Sequence, residues 1–388
     1  MFANPSKSYT QRVLAAACIA ARSDGVSVIN GSSRSDDAKA AVEIIKKLGA
    51  VVEDAPGDHG KSLRISAGNF TLPGKIELNC GESALNLRLF KAMAGTINSD
   101  VTMSGRGTLL KRVALPYKVE RLKAGVFEVD GSKTSQDLSG LLMALPCVEG
   151  DSEIVVRNLK SRPYVEMTLK VLKDFGIEIR NEDFKKFKIK GSQKYKGTEF
   201  TVEGDWSGAA FILVAGAICG NVRVDNLNIN SLQGDKVIVD VLKQCGAGVM
   251  VGKSTVEITK DSLRPFNFDV SECPDLLPPL VALALNCDGS SIITGIERLK
   301  YKESDRVQTL FNEFSKMGAV MKTFDDRMII QGGRLKGCDV ESHNDHRVVM
   351  ALAVAGLNSL GRANIKGAEC VSKSYPDFFS DLKEVKRQ

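Results

Sequence analysis

The sequence has one tryptophan, three histidines and no C-x-x-C pair among its nine scattered cysteines. A zinc ribbon and a disulfide framework are therefore not expected, and an odd set of dispersed thiols suits a reducing cytoplasm. No run of five or six like charges occurs, which argues against a nucleic-acid-binding tail. The longest uncharged apolar stretch, Ala209 to Gly220, falls well short of the roughly 20 residues that span a bilayer, so no membrane segment is predicted. Lys7 and Arg12 ahead of Val13–Ala21 imitate a secretory signal, but Arg22 and Asp24 follow at once and export is not expected. Pro/Gly-rich tethers and low-complexity segments are also missing, so any domains are closely joined.

What is present is ordinary globular composition, 43% hydrophobic and 26% charged, over 388 residues. That length exceeds the roughly 250–300 residues over which one core keeps growing, so two domains with a cleft as the candidate site are expected. The net charge of +6 is mild and spread along the chain, which suits small anionic ligands better than a polyanion.

A repeat runs through the chain. Helix-period segments end in Gly and lead into an alternating strand at Val42–Gly49, Leu169–Gly176, Val241–Gly246 and Leu310–Gly318, with a weaker copy at Val119–Gly125. In each, Gly stands where a helix C-cap belongs. Between them lies a second kind of helix, nearly all apolar, at Val13–Ala21, Leu141–Leu145, Ala209–Cys219, Leu280–Leu285 and Val348–Leu357. One helix type is amphipathic and the other buried, so each unit presents a surface helix and a buried helix against a sheet. The predicted class is α/β (α+β): two similar domains, each of three repeated α/β units, with the active site in the interdomain cleft.

Polar, anion-binding residues precede several apolar helices: Lys7–Arg12 before the first, Gly131–Gln136 before Leu141, and Gly204–Ser207 before Ala209. Unpaired N–H groups and partial positive charge at a helix start, joined by hydroxyls and a Lys or Arg, make a phosphate or carboxylate site. Taken singly, each segment also reads as a plain N-cap. Repetition favours the anion sites.

Seven motifs then carry a resemblance: Lys7-Ser8-x-x-x-Arg12, Asp130-Gly-Ser-Lys-Thr-Ser-Gln136, Ser161-Arg-Pro-Tyr164, Val202-Glu-Gly-Asp205, Lys302-Glu-Ser-Asp-Arg306, Asn344-Asp-His-Arg347 and Lys373-Ser-Tyr-Pro-Asp377. In order and spacing the chain resembles the 3-phosphoshikimate 1-carboxyvinyltransferase family over nearly its whole length. The resemblance implies one domain at residues 6–202 and a second made of 1–5 plus 203–388. It implies that shikimate 3-phosphate is held by Lys7, Ser8, Arg12, Thr134, Ser135, Gln136, Ser161, Tyr164, Asp275 and Lys302. Phosphoenolpyruvate would lie against Lys7, Ala84, Gln136, Arg306, Arg347 and Lys373. Proton transfer would fall to Lys7, Asp275, Lys302 and Glu303. The two substrates are the only partners implied, with no nucleic acid, membrane, metal or cofactor, for a cytoplasmic monomer. A dense set of Lys and Arg donors is what two mutually repelling anions need.

The chain also departs from the family pattern. Only Met1–Ser6 precede the Lys-Ser motif where the family has a further strand, so one sheet edge should be missing or replaced. In the loop Glu82–Arg88, Ala84 takes the place of a Gly that lines the phosphoenolpyruvate pocket. In Gly105–Val113, Thr108 stands where the family has an Arg, and Arg106 or Lys111 are candidates to replace it. The motif Ala55–Ser62 fits a relaxed nucleotide phosphate-loop pattern, but Leu63–Ser66 alternates like a strand and a hairpin is expected. His343 and His346 are read as structural or hydrogen-bonding, and Trp206 as packing. Alternatives to the transferase are a non-catalytic ligand-binding relative and the UDP-N-acetylglucosamine enolpyruvyl transferase, which has Lys-Asn in place of Lys7-Ser8.

Overall fold

The computed structural model describes residues 1–56 and 61–387. They cluster into two compact units, Pro5–Glu203, and Met1–Asn4 with Gly204–Gln388.

The unit Pro5–Glu203 contains helices α1 (Lys7–Ala21), α2 (Asp36–Lys47), α3 (Ala84–Ala94), α4 (Gln136–Ala144) and α5 (Arg162–Asp174). Helix α1 starts behind Ser6, whose hydroxyl accepts from the Tyr9 N–H, and every residue from Tyr9 to Ala21 is buried. Helix α2 is of the other type. Ser35 caps it, Asp36 and Asp37 lie in its first turn and Lys46 and Lys47 in its last, matching the helix dipole, and Ala38, Ala41, Ile44 and Ile45 form its buried stripe. Three sheets accompany these helices, and in each a parallel pair abuts antiparallel neighbours. One runs Glu199–Thr201, Ser27–Asn30, Ser62–Ala67, Ala50–Ala55; a second Val126–Asp130, Ser152–Arg157, Lys186–Ile189, Ile179–Glu182; a third Lys75–Asn79, Asp100–Ser104, Tyr117–Lys118.

The second unit contains α6 (Trp206–Cys219), α7 (Ile238–Cys245), α8 (Leu277–Ala284), α9 (Arg306–Lys316), α10 (His346–Gly356) and α11 (Phe378–Lys383). Every residue of α6 is buried, and α6, α8 and α10 pack on one another as its core. Two four-stranded sheets and the parallel pair Asp339–Glu341 with Asn364–Lys366 surround them. The strand Gly220–Asp225 takes partners from two distant parts of the chain. Met1 and Ala3 bond its 223–225 end, the Ala3 N–H reaching the Asp225 carbonyl at 2.9 Å, while Lys386–Arg387 pairs at Gly220 and Asn221.

The glycines that close α7 and α9, Gly246 (φ 91°) and Gly318 (φ 84°), have the left-handed backbone expected of C-caps. Two expectations fail. Val119–Gly125 is not a helix: the Val119 N–H bonds the Val101 carbonyl at 2.8 Å and the Leu122 N–H bonds the Gly95 carbonyl at 2.8 Å, so its backbone is spent on neighbouring elements. Residues 84–88 are not loop but the first turns of α3, started by the Ser83 hydroxyl accepting from the Asn86 N–H. The strands Ala50–Ala55 and Ser62–Ala67 pair antiparallel with Ala55 opposite Ser62, as a hairpin requires. The tip of the phosphate-loop decoy, residues 57–60, lies outside the described residues.

Candidate active site

In the unit Pro5–Glu203 the residues expected to bind shikimate 3-phosphate gather at the N-terminal ends of α1, α4 and α5. Arg12, 1% exposed, is their centre. Its Nε donates to Thr168 Oγ1 at 2.8 Å, Nη1 to the Ser8 carbonyl at 2.9 Å and Nη2 to the Tyr164 carbonyl at 3.1 Å. One guanidinium therefore ties α1 to α5, and through Thr168, bonded to Ser139, to α4. Burial lowers this guanidinium to about 10, still charged at neutral pH. Thr134 accepts from the Gln136 N–H at the start of α4, and the buried Ser135 and Ser161 occupy the N-cap positions of α4 and α5, Ser161 in the left-handed region (φ 57°). Lys7, in the first turn of α1, pairs with Asp37 Oδ2 at 2.9 Å.

Helix α3 brings a residue that the sequence reading named only as the end of the segment Glu82–Arg88. Arg88 Nη1 donates to Gln136 Oε1 at 3.0 Å and its Nε to Asp137 Oδ2 at 3.1 Å. The approach depends on Gly140 of α4, where a Cβ would stand 2.4 Å from the Arg88 carbonyl oxygen. Ala84 is the first residue of α3, half-buried. Thr108 is buried; its N–H and hydroxyl both donate to Glu82 Oε2, at 2.8 and 2.9 Å. Arg106 and Lys111, candidates to replace the missing Arg, are exposed. The position that resembles an Arg site thus faces a carboxylate.

The second unit gathers the remaining residues around Arg306, the first residue of α9 and 1% exposed. Its guanidinium meets three carboxylates: Nη1 bonds Asp275 Oδ1 at 2.8 Å, Nη2 bonds Glu303 Oε2 at 2.6 Å, and Nε bonds Asp345 Oδ2 at 2.9 Å. Arg347, in the first turn of α10, reaches Asp275 Oδ2 at 3.1 Å, and Lys302 lies 3.9 Å from Asp275 Oδ1. Burial opposes the charge on Asp275, but Arg347, Lys302 and Arg306 together overcome it and hold the carboxyl well below the usual carboxylate range. Burial is also the largest influence on Lys302, lowering its ammonium to about 8 against the pull of Asp275. Arg306 is raised, because Asp345, Glu303 and Asp275 outweigh its desolvation. Lys373 Nζ donates to the Asn344 carbonyl at 2.6 Å, beside the start of α10.

Sequence reasoning missed Asp345, fully buried, which caps α10 by accepting from the Arg347 N–H at 3.0 Å while holding Arg306 and the Ser304 hydroxyl. Its signal was available: Asp at an N-cap directly ahead of His346-Arg347. Asp37 and Arg88 had no comparable local signal. Among the described residues no group of three or more His, Cys, Asp or Glu could hold a metal, no helix is long and apolar enough to cross a membrane, and all nine cysteines are free. Trp206 is fully buried, its Nε1 donating to the Asn228 carbonyl.

The family model described as EPSP synthase (3-phosphoshikimate 1-carboxyvinyltransferase) matches residues 2–113 and 108–382. The 3-phosphoshikimate 1-carboxyvinyltransferase of Clostridium acetobutylicum is 40% identical over 406 aligned positions, covering 98% of this chain and 93% of that protein. The Clostridium novyi protein of the same name is 37% identical with the same coverage. An EPSP synthase structure from Acinetobacter baumannii shares the fold, with TM-score 0.78 and 24% identity over 100% of this chain and 95% of that one. Matches of this length and identity leave one conclusion: the chain belongs to the EPSP synthase (3-phosphoshikimate 1-carboxyvinyltransferase) family.

Proposed function

We propose that the chain transfers the enolpyruvyl group of phosphoenolpyruvate to the 5-hydroxyl of shikimate 3-phosphate, releasing phosphate. The hydroxyl oxygen adds to C2 of phosphoenolpyruvate while C3 takes a proton. The tetrahedral intermediate then loses a C3 proton and its C2–O bond to phosphate, which restores the double bond. The observation that carries this reading is the Asp275 carboxylate, kept ionised by Arg306, Arg347 and Lys302 although largely buried. An ionised carboxylate can accept the hydrogen bond of a substrate hydroxyl, and it gains the basicity to take the proton as the cations around it turn to the anions that react beside it.

The remaining roles are those the resemblance implies. Ser8, Arg12, Thr134, Ser135, Gln136, Ser161 and Tyr164 supply hydroxyls and donors to shikimate 3-phosphate, with Asp275 and Lys302 toward its reacting hydroxyl. Lys7, Gln136, Arg306, Arg347 and Lys373 supply charge to phosphoenolpyruvate, with Ala84 against it. Arg306 reaches that substrate by exchanging one of its carboxylate partners. Arg88, which holds Gln136, joins this set. Lys302, with its ammonium lowered to about 8, is matched to proton transfer near neutrality; Lys7 is the second ammonium at hand and Glu303 the second carboxylate. We also read the two units as similar domains of three α/β units each; the three sheets of Pro5–Glu203, alike in joining parallel and antiparallel neighbours, support this. The same reading makes the protein cytoplasmic and a monomer, and light scattering on the purified protein tests the second.

Steady-state phosphate release with the substrates added singly and together tests the reaction. Release that requires both supports it; tight binding of shikimate 3-phosphate without release would favour a non-catalytic relative.

A further inference from the structure

We propose that Glu313, acting through His343, is a positioning residue that fixes the turn carrying Asp345 and Arg347. The inference rests on the transferase reading above. Helix α9 begins at Arg306, and Glu313 lies seven positions on, two turns along the same face. Its side chain is only 1% exposed. The carboxylate accepts from His343 Nε2 at 2.8 Å, from the Glu341 N–H at 2.9 Å, and from Lys316 Nζ at 2.7 Å. Burial opposes its charge, but the bonds from His343, Lys316 and Glu341 prevail and lower its ionisation range.

What Glu313 grips is strained. His343 (φ 52°) and Asn344 (φ 56°) are consecutive non-glycine residues in the left-handed region, a conformation that persists only where surrounding contacts impose it. Those contacts include the turn's own Asp345 N–H on the Ser342 carbonyl at 2.9 Å, the Glu313–His343 bond, the Asn344 N–H on the Ser342 hydroxyl, and Lys373 on the Asn344 carbonyl. The next residue is Asp345, which holds Arg306, and two further on is Arg347, which holds Asp275. Helix α9 therefore grasps this turn at both ends, through Arg306 on Asp345 and through Glu313 on His343 and Glu341. No group that Glu313 touches is assigned to a substrate. Its effect is to aim Arg347 and to keep Asp345 on Arg306.

The test compares wild type with His343→Ala, His343→Gln, which restores a donor near the imidazole Nε2 position, and Glu313→Gln. Three quantities are read: the KM for phosphoenolpyruvate, the dissociation constant of shikimate 3-phosphate by calorimetry, and amide exchange over residues 342–347. We expect His343→Ala to speed exchange across the turn and raise the phosphoenolpyruvate KM about tenfold, with shikimate 3-phosphate affinity within about twofold and His343→Gln recovering most of the loss. Glu313→Gln should move the same constant in the same direction, and where it fails to fold the half-exposed His343 pair of variants decides. Faster exchange with an unmoved KM, or equal weakening toward both substrates, would assign a merely structural role and overturn the proposal. A wild-type protein with no turnover would overturn the transferase reading and this inference with it, whereas wild-type turnover with unaltered variants overturns this inference alone.

Discussion

Replacing Asp275 by Asn keeps the shape of the side chain and one acceptor oxygen but removes a charge. In the native protein Arg306, Arg347 and Lys302 face Asp275, Glu303 and Asp345, three charges of each sign. The variant leaves one cation in excess. Breaking a buried ion pair outright costs about 3–5 kcal/mol. Asp275 is 21% exposed and Asn retains one hydrogen bond, so a loss of about 1–3 kcal/mol is expected. The excess cation should attract an anionic substrate, so phosphoenolpyruvate affinity, measured calorimetrically with shikimate 3-phosphate present, should hold or improve. Turnover should nevertheless fall at least about a hundredfold, since the proposed proton acceptor is gone. The pH dependence has a definite sign. A carboxyl depressed in the folded state stabilises above its unfolded value, about 3.9, and loses that contribution as pH falls through its folded range. Denaturation curves for native protein and variant should therefore stay apart down to about pH 5 and converge only below about 4. A folded Asp275→Asn protein with kcat within tenfold of native would refute the reasoning.

Three further outcomes are expected. Lys302, lowered to about 8, should give kcat/KM a basic limb near that pH as its charge is lost, and Lys302→Arg should displace the limb upward; an unmoved limb assigns it elsewhere. Thr108→Arg alone should lower the phosphoenolpyruvate KM by less than about threefold, because Glu82 takes up the new charge, whereas Thr108→Arg with Glu82→Gln should lower it about tenfold, or 1.4 kcal/mol; equal effects would mean that Glu82 does not face residue 108. Ala84→Gly should increase sensitivity to glyphosate, the family's inhibitor, by about tenfold or more with little change in substrate KM, since in the proposed pocket a methyl group opposes the bulkier ligand at a general cost of about 1–3 kcal/mol; equal inhibition constants would remove Ala84 from that pocket.

Several parts of this protein were legible in its sequence because local chemistry decides them. The segment Gly204–Ser207 holds the cap of α6, Asp205, and apolar spacing separates α6 and α1, the latter buried from Tyr9 on, from the one-faced α2 and α9. Where tertiary hydrogen bonds override period, the reading failed. Val119–Gly125 has helical spacing, yet its backbone is taken by Val101 and Gly95, and no pattern within the segment announces those partners. Charge clusters were legible as residue types but not as pairs. Asp37 meets Lys7 from 30 positions away, and Asp275 meets Arg347 from 72, so which cation each carboxylate neutralises appears only in the fold. That pairing also changed the view of Arg306, read from sequence as an open anion receptor and found enclosed by three carboxylates.

The central claim is that the bond broken in phosphoenolpyruvate joins carbon to oxygen, not phosphorus to oxygen. Phosphoenolpyruvate carrying ¹⁸O in the bridging position, incubated with shikimate 3-phosphate and the enzyme, decides it by mass spectrometry of the products. Addition at C2 followed by elimination sends the labelled oxygen out with phosphate, and the account predicts phosphate heavier by one ¹⁸O. Unlabelled phosphate with the label left in pyruvate would mean cleavage at phosphorus and would contradict the account.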